Sequence, residues 1–166
     1  MKKLSLCLVL LGVLLFAGCT QKLSGEAAVI DAAREDIPIS DIENMDVEIV
    51  GRMEQDGKAL FWLKTGNEYQ AHSYFPVEVE ILEEDVYKFS KVHRSAMERG
   101  EGAYAFLWHS GEYVFLVDNE DCAYILLRDD KGNEEKIEVT EIPFLYHHNG
   151  TPAEYGFYDR NDEEVS

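Results

Sequence analysis

The sequence predicts a mainly β protein, an antiparallel sandwich or barrel-like meander, with a short helical segment near the N-terminus. Residues 69–81 alternate between apolar and polar side chains, the pattern of a strand with one dry face and one solvated face. Three short runs, at 103–108, 113–117 and 123–127, are almost wholly apolar and belong in the middle of a layered structure. Turn signals separate these runs at the spacing expected of an all-β domain.

The first 18 residues have the pattern of an export signal. A positively charged start at residues 1–3 precedes an apolar run at 4–16 and a pair of small residues, Ala17 and Gly18. A membrane-spanning helix needs about 20 apolar residues, so this run is short for a permanent span. We therefore predict a signal peptide over residues 1–18.

The stretch LFAGC, residues 15–19, resembles the lipobox of bacterial lipoproteins, although Phe16 stands where that family usually has leucine. In that family the cysteine thiol receives a diacylglycerol and the signal is cut just before it. The resemblance implies that Cys19 is the lipid attachment site and that the protein is anchored outside the cytoplasm, since two acyl chains give stable attachment. The alternative is an ordinary signal peptide followed by a chance cysteine.

Residues 19–25 are predicted to be the lipidated N-terminus and a short linker, and residues 26–166 a single β-rich domain. A helix is predicted over 26–36, capped by Ser24 or Gly25 and ended by Pro38. Its apolar stripe consists of Val29, Ile30, Ala33 and Ile37. The segment SDIE, residues 40–43, reads as a capping box and predicts one further turn.

The following strands are separated by recognisable turns. Asp56-Gly57 predicts a hairpin between strands at 47–53 and 59–64, and a second turn is expected at 65–67. Pro76 cannot donate a backbone hydrogen bond, so strand 69–81 is predicted to be an edge strand or to contain a bulge there. The later strands are predicted at 85–92, 103–108, 113–117, 123–127, 136–139, 143–148 and 154–159.

Strand 69–81 also provides the candidate partner-binding residues. His72 and Tyr74 lie on its predicted solvated face, where an aromatic side chain with a polar tip suits an interface. An edge strand can also accept an added strand from another chain. We predict that His72 and Tyr74 contact a partner protein or peptide, unless another part of the chain covers this face.

The helix, the hairpin at 46–64 and strand 69–81 together resemble the layout of PepSY modules, which pack a helix on a three-stranded sheet. In that family such modules have been associated with restraining proteases or with interactions in the cell envelope. The resemblance covers at most residues 25–82 and rests on the order of elements rather than on a motif.

Composition excludes one class of partner. All 33 acidic residues follow the signal whereas two of the 15 basic ones lie within it, so the mature chain has a net charge of −20 with neutral histidines. This charge argues against nucleic acid, whose phosphates need Lys and Arg, and against lying flat on anionic lipid.

Cys122 alone remains for disulfide chemistry, and is predicted to be a buried, structural thiol. The lack of disulfides favours a Gram-positive cell surface.

The sequence predicts no catalytic residue, no metal site and no cofactor, because no known catalytic or ligand spacing is present. His147 and His148 are adjacent and would face opposite sides of a strand. The acidic turns at 118–121, 129–134 and 159–164 do not match the EF-hand register and are predicted to be solvated turns.

Three function classes remain open at this stage. The first is a non-enzymatic binding or interaction lipoprotein of the cell envelope. The second is a PepSY-like regulator or inhibitor of an envelope enzyme. The third is a hydrolase whose catalytic residues converge only in the folded chain, which a concave pocket with convergent titratable groups would favour.

Overall fold

The computed structural model describes residues 22–67, 70–94, 97–98, 102–109 and 111–165. Within these ranges the chain forms one α-helix, α1 (Gly25–Arg34), a 3₁₀ turn at Ile42–Asn44, and twelve strands. The prediction of a mainly β protein with a helix near the N-terminus is confirmed. The strands are β1 Lys22–Ser24, β2 Asp46–Gln55, β3 Lys58–Asn67, β4 Gln70–Glu83, β5 Val86–Val92, β6 Met97–Glu98, β7 Ala103–Trp108, β8 Glu112–Val117, β9 Tyr124–Arg128, β10 Glu134–Glu138, β11 Phe144–Asn149 and β12 Glu154–Tyr158.

The strands form three open antiparallel sheets. Sheet A has the order β1-β5-β4-β3-β2, sheet B the order β11-β8-β7-β6, and sheet C the order β10-β9-β12. Three buried apolar clusters join α1 to sheet A, sheet A to sheet B, and sheet B to sheet C. The domain is therefore a stack of four layers, with the helix on one outer side and sheet C on the other.

Alternation along β3 shows why the stack needs its central strands apolar on both faces. Phe61 and Leu63 pack toward α1 with Val29 and Ala33 of the helix, which are both buried. Leu60 and Trp62 point the other way, into the cluster shared with sheet B. Because successive side chains of a strand alternate between faces, a strand between two covered faces must be apolar throughout.

The central sheet B has the same two-sided character. Tyr104, Phe106 and Trp108 of β7 pack toward sheet A, with Val114 and Leu116 of β8. Ala103 and Ala105 of β7 and Phe115 and Val117 of β8 point the other way and pack toward sheet C. The buried cluster there also contains Cys122, Ile125, Leu127, Phe157 and Val165. The apolar runs of the sequence thus mark the inner strands of the stack.

The hairpin predicted at Asp56-Gly57 is present between β2 and β3. Both residues have positive φ, 49° and 75°, as a two-residue turn between right-twisted strands requires. The turn predicted at 65–67 is wrong, because β3 continues to Asn67, which pairs with Gln70 of β4. Gly66 instead lies at a bulge between Thr65 and Asn67.

The prediction of β4 as an edge strand is also wrong. β4 pairs with β3 on one side and with β5 on the other. The carbonyl of Pro76 accepts a hydrogen bond of 2.8 Å from the backbone N–H of His93, just past the end of β5. The nitrogen of Pro76 also faces β5, at the point where the regular pairing of β4 with β5 ends. The N–H that proline lacks therefore removes no hydrogen bond between paired strands. A bulge lies nearby, between Glu78 and Val79 on the β5 side.

The structured domain begins before residue 26. Lys22–Ser24 form β1, which pairs with β5, and Leu23 is buried against the helix cluster. Part of the segment predicted as linker therefore belongs to sheet A. Cys19 and the predicted signal peptide lie outside the described residues.

Cys122 is buried in the cluster between sheets B and C, as the sequence predicted. Burial raises the pKa of its thiol, and thiolate is the reactive form. We expect a thiol reagent to modify Cys122 many-fold more slowly in the native protein than in denaturant, because local opening must come first. Stopped-flow thiol titration measures both rates, and equal rates would contradict the burial.

Candidate functional site

The structure separates the two candidate residues of β4. His72 is exposed, and its ring packs on Gly66, where any side chain would collide with Nδ1. Tyr74 is buried in the cluster between sheets A and B, with its ring centroid 4.6 Å from that of Tyr104. The prediction that this face of the strand is solvated is therefore wrong for Tyr74, Pro76 and Glu78, which are buried because sheet B covers them.

Tyr74 belongs to a polar group that we name the Asp118 cluster: Lys64, Tyr74 and Asp118. The Tyr74 hydroxyl donates to Asp118 Oδ2 at 2.6 Å, and Lys64 Nζ donates to the same oxygen at 2.7 Å. Burial, followed by the hydrogen bond to Asp118, raises the pKa of Tyr74. The cluster joins β3 and β4 of sheet A to the end of β8 in sheet B, so it fixes how the two sheets are placed.

A groove of about 610 Å³ opens beside the Asp118 cluster, and we name it the His72 groove. Its charged and titratable lining consists of Arg34, Asp46, Glu48, Lys64 and His72. Arg34 is held in place because its guanidinium donates to the carbonyls of Ile42 at 2.8 Å and Met45 at 3.2 Å. The groove thus combines two basic side chains and a histidine with two acidic side chains.

The chemistry of the His72 groove suits a ligand that carries both acceptors and donors. Ammonium, guanidinium and imidazole groups donate hydrogen bonds to carboxylates and to backbone carbonyls. Asp46 and Glu48 on the same wall can accept from backbone N–H groups of a ligand. Donors and acceptors side by side are what an extended peptide requires.

A second polar group, the Glu78 cluster, lies in the same inter-sheet layer: Lys58, Glu78, His93 and Trp108. The Glu78 carboxylate accepts from Lys58 Nζ at 2.9 Å and from Trp108 Nε1 at 3.1 Å. His93 Nε2 lies 3.4 Å from the same carboxylate, and burial together with the charge of Lys91 lowers the pKa of His93. Sequence reasoning missed this cluster because Glu78 falls on the face that was predicted to be solvated.

A third inter-sheet contact involves one of the paired histidines. Gln55 Nε2 donates to Glu112 at 2.9 Å, and His147 Nε2 lies 3.6 Å from the other Glu112 oxygen. In β11, His147 is paired with Val114 and His148 with Tyr113, so the two rings point to opposite sides. Among the residues that the structure describes, no group of three His, Cys, Asp or Glu side chains is arranged to hold a metal ion.

Two of the three acidic turns, at 129–134 and 159–164, use their leading aspartates to hold the backbone, whereas Asp118 of the turn at 118–121 is largely buried in the Asp118 cluster and is not solvated as predicted. Asp129 Oδ1 accepts the backbone N–H groups of Lys131 and Asn133, at 2.9 and 2.8 Å. Asp159 Oδ1 accepts those of Asn161 and Glu163 in the same way, at 2.8 and 2.9 Å. The side-chain hydrogen bond from Asn133, together with the backbone bonds, lowers the pKa of Asp129, and the backbone bond from Glu163 is the main cause of the lowered pKa of Asp159. The residue types of these turns thus have a conformational role.

Comparison of the chain with protein-family models, with curated proteins and with solved structures finds no match. Over the described ranges, no helix is both long and apolar enough to cross a membrane.

Proposed function

We propose that the protein is a lipoprotein of the cell envelope, anchored through Cys19 on the outer side of the cell membrane, where it acts as a binding module. The observation that carries the proposal is the order of residues 1–19: a charged start, a short apolar run, two small residues and then cysteine. A folded strand, β1, begins at Lys22, which leaves a short segment for the anchor and its processing.

The Cys19→Ala variant tests the anchor. We expect the wild-type protein to sediment with membranes and to be released by detergent, because two acyl chains hold it firmly. The variant carries no lipid, so it should lose the membrane-bound form that detergent releases. Mass spectrometry of the wild-type N-terminus should find a lipid-modified Cys19. A wild-type N-terminus without lipid would contradict the proposal even if the protein is exported.

Binding is proposed to occur in the His72 groove, with an envelope protein or peptide as partner. The support is the exposure of His72, the fixed position of Arg34 and the mixed donor and acceptor lining. Tyr74 contributes by holding Asp118 and Lys64 rather than by touching the partner.

A photo-crosslinking residue placed at position 72 tests the groove. We expect a discrete covalent adduct in intact cells, because the side chain at this position faces the bound partner. The same residue at Lys131, an exposed position in the turn between β9 and β10, is the matched control and should give no such adduct. Identical adduct patterns at both positions would rule out the groove.

The packing of α1 on β2, β3 and β4 favours a second candidate, the PepSY-like regulator, because those elements follow the order expected of such a module. Sheet A has two further strands, β1 and β5, and sheets B and C add two more layers. An adduct at position 72 that contains an envelope protease would favour this narrower function over general binding.

A further inference from the structure

The position of β1 has a geometric consequence, given the lipid anchor proposed at Cys19. Lys22 starts β1, the outermost strand at one edge of sheet A. Cys19 precedes Lys22 by three residues, which reach at most about 10 Å when fully extended. A lipid inserted in the bilayer would therefore keep Lys22, and the strand edge beside it, within about one nanometre of the headgroups.

Four basic residues lie along this edge, and two of them pair with carboxylates of β4. Lys22 and Lys88 lie opposite each other in the pairing of β1 with β5, and Lys91 and Arg94 follow along the chain. We name these four residues the basic edge. Lys22, Lys91 and Arg94 are exposed and Lys88 is partly exposed.

We propose that the basic edge of sheet A faces the headgroups of the bilayer, so that the domain stands on its β1–β5 edge. The short tether carries this orientation. Lys22 and Lys88 are each paired with a carboxylate, so Lys91 and Arg94 are the cations of this edge that no salt bridge among the described residues holds.

Glu83 lies 3.9 Å from Lys22, and Glu80 lies 2.9 Å from Lys88. The adjacent groove is lined by Asp31 of α1 and by Glu35 and Asp36, which follow the helix. Those carboxylates keep the edge at headgroup level, because burying them in hydrocarbon would be costly.

This orientation points the other edge of sheet A away from the membrane. β2 is four strand spacings from β1, which is roughly 19 Å at about 4.8 Å per spacing. Glu48 of β2 lines the His72 groove and is exposed. The proposed binding groove therefore opens toward partners at a distance from the lipid surface.

Spin labels at the two edges test the orientation. Lys91→Cys and Glu48→Cys are labelled with a nitroxide in the lipidated protein, where the Cys19 thiol carries lipid and Cys122 is buried. The protein is reconstituted on vesicles of phosphatidylcholine and phosphatidylglycerol in equal parts, doped with a nickel-chelating lipid. We expect the relaxation enhancement by nickel to be several-fold greater at position 91 than at position 48.

Equal enhancement at both positions, on protein that floats with the vesicles, would overturn the proposed orientation. Protein that fails to float would instead reject the lipid anchor, and this inference with it. Inserting about 20 Gly and Ser residues before Lys22 gives a tether that spans roughly 25 Å. That variant should bring the ratio of the two enhancements toward one, and an unchanged ratio would overturn the role of the short tether and the proposal.

Discussion

Replacing Phe115 by alanine is expected to lower the free energy of unfolding by about 3–5 kcal/mol. Phe115 is fully buried between sheets B and C, and its ring lies 5.4 Å from that of Tyr155 and 6.1 Å from that of Phe157. Truncation removes these contacts and leaves a cavity that the rigid sheets on either side cannot close. Urea unfolding followed by circular dichroism measures the loss.

Leu107→Ala is the matched control for this prediction. Leu107 lies in β7, the strand paired with β8, but half of its surface is exposed to solvent. Its truncation should change the free energy of unfolding by no more than about 0.5 kcal/mol. If both variants lose the same stability, the layer between sheets B and C is not the packed core described above.

The second large effect is expected at Glu78, which is 6% exposed. Burial alone would raise its pKa, but hydrogen bonds from Lys58 and Trp108, with the charge of Lys58, lower it from 4.5 to about 2. A carboxyl whose pKa falls on folding stabilises the folded state above its unfolded pKa, here by about 3 kcal/mol. This contribution should disappear as the pH falls from 4.5 toward about 2.

Glu78→Gln should therefore destabilise the protein by about 2–3 kcal/mol at neutral pH. The difference from wild type should shrink as the pH falls below 4.5, since the glutamine side chain does not titrate. Denaturant unfolding at a series of pH values measures the difference. Glu80→Gln is the control on the same strand, where the ion pair with Lys88 is exposed and contributes between zero and about 1 kcal/mol. A difference at Glu78 that does not vary with pH would contradict the proposed ionisation.

Features set by local chemistry could be predicted from the sequence. The Asp56-Gly57 turn needs positive φ at two successive residues, and few residue pairs accept that conformation. The apolar runs at 103–108 and 113–117 mark β7 and β8, because only strands covered on both faces can be apolar throughout. Cys122 follows the same reasoning, since it adjoins an apolar run and is buried with it.

The faces of β4 could not be predicted in this way. Tyr74, Pro76 and Glu78 alternate with apolar residues, and a local pattern cannot distinguish a face covered by water from one covered by another sheet. Trp108 and Asp118, which satisfy Glu78 and Tyr74, are distant in sequence and meet them only when sheet B docks on sheet A. Of the two candidate residues, Tyr74 is therefore part of the core, whereas His72 lies at the surface.

The sequence by itself determined the strand-rich class, the N-terminal helix, the main hairpin and the burial of Cys122, because each depends on residues near one another in the chain. Tertiary structure alone decided the strand order, the position of β4 inside sheet A and the inclusion of Lys22–Ser24 as an edge strand. Strand pairing is carried by backbone groups that every residue except proline offers alike, so the side-chain pattern along one strand does not specify which strands become its neighbours. The strand order depends on how side chains from distant parts of the chain are buried together between the four layers.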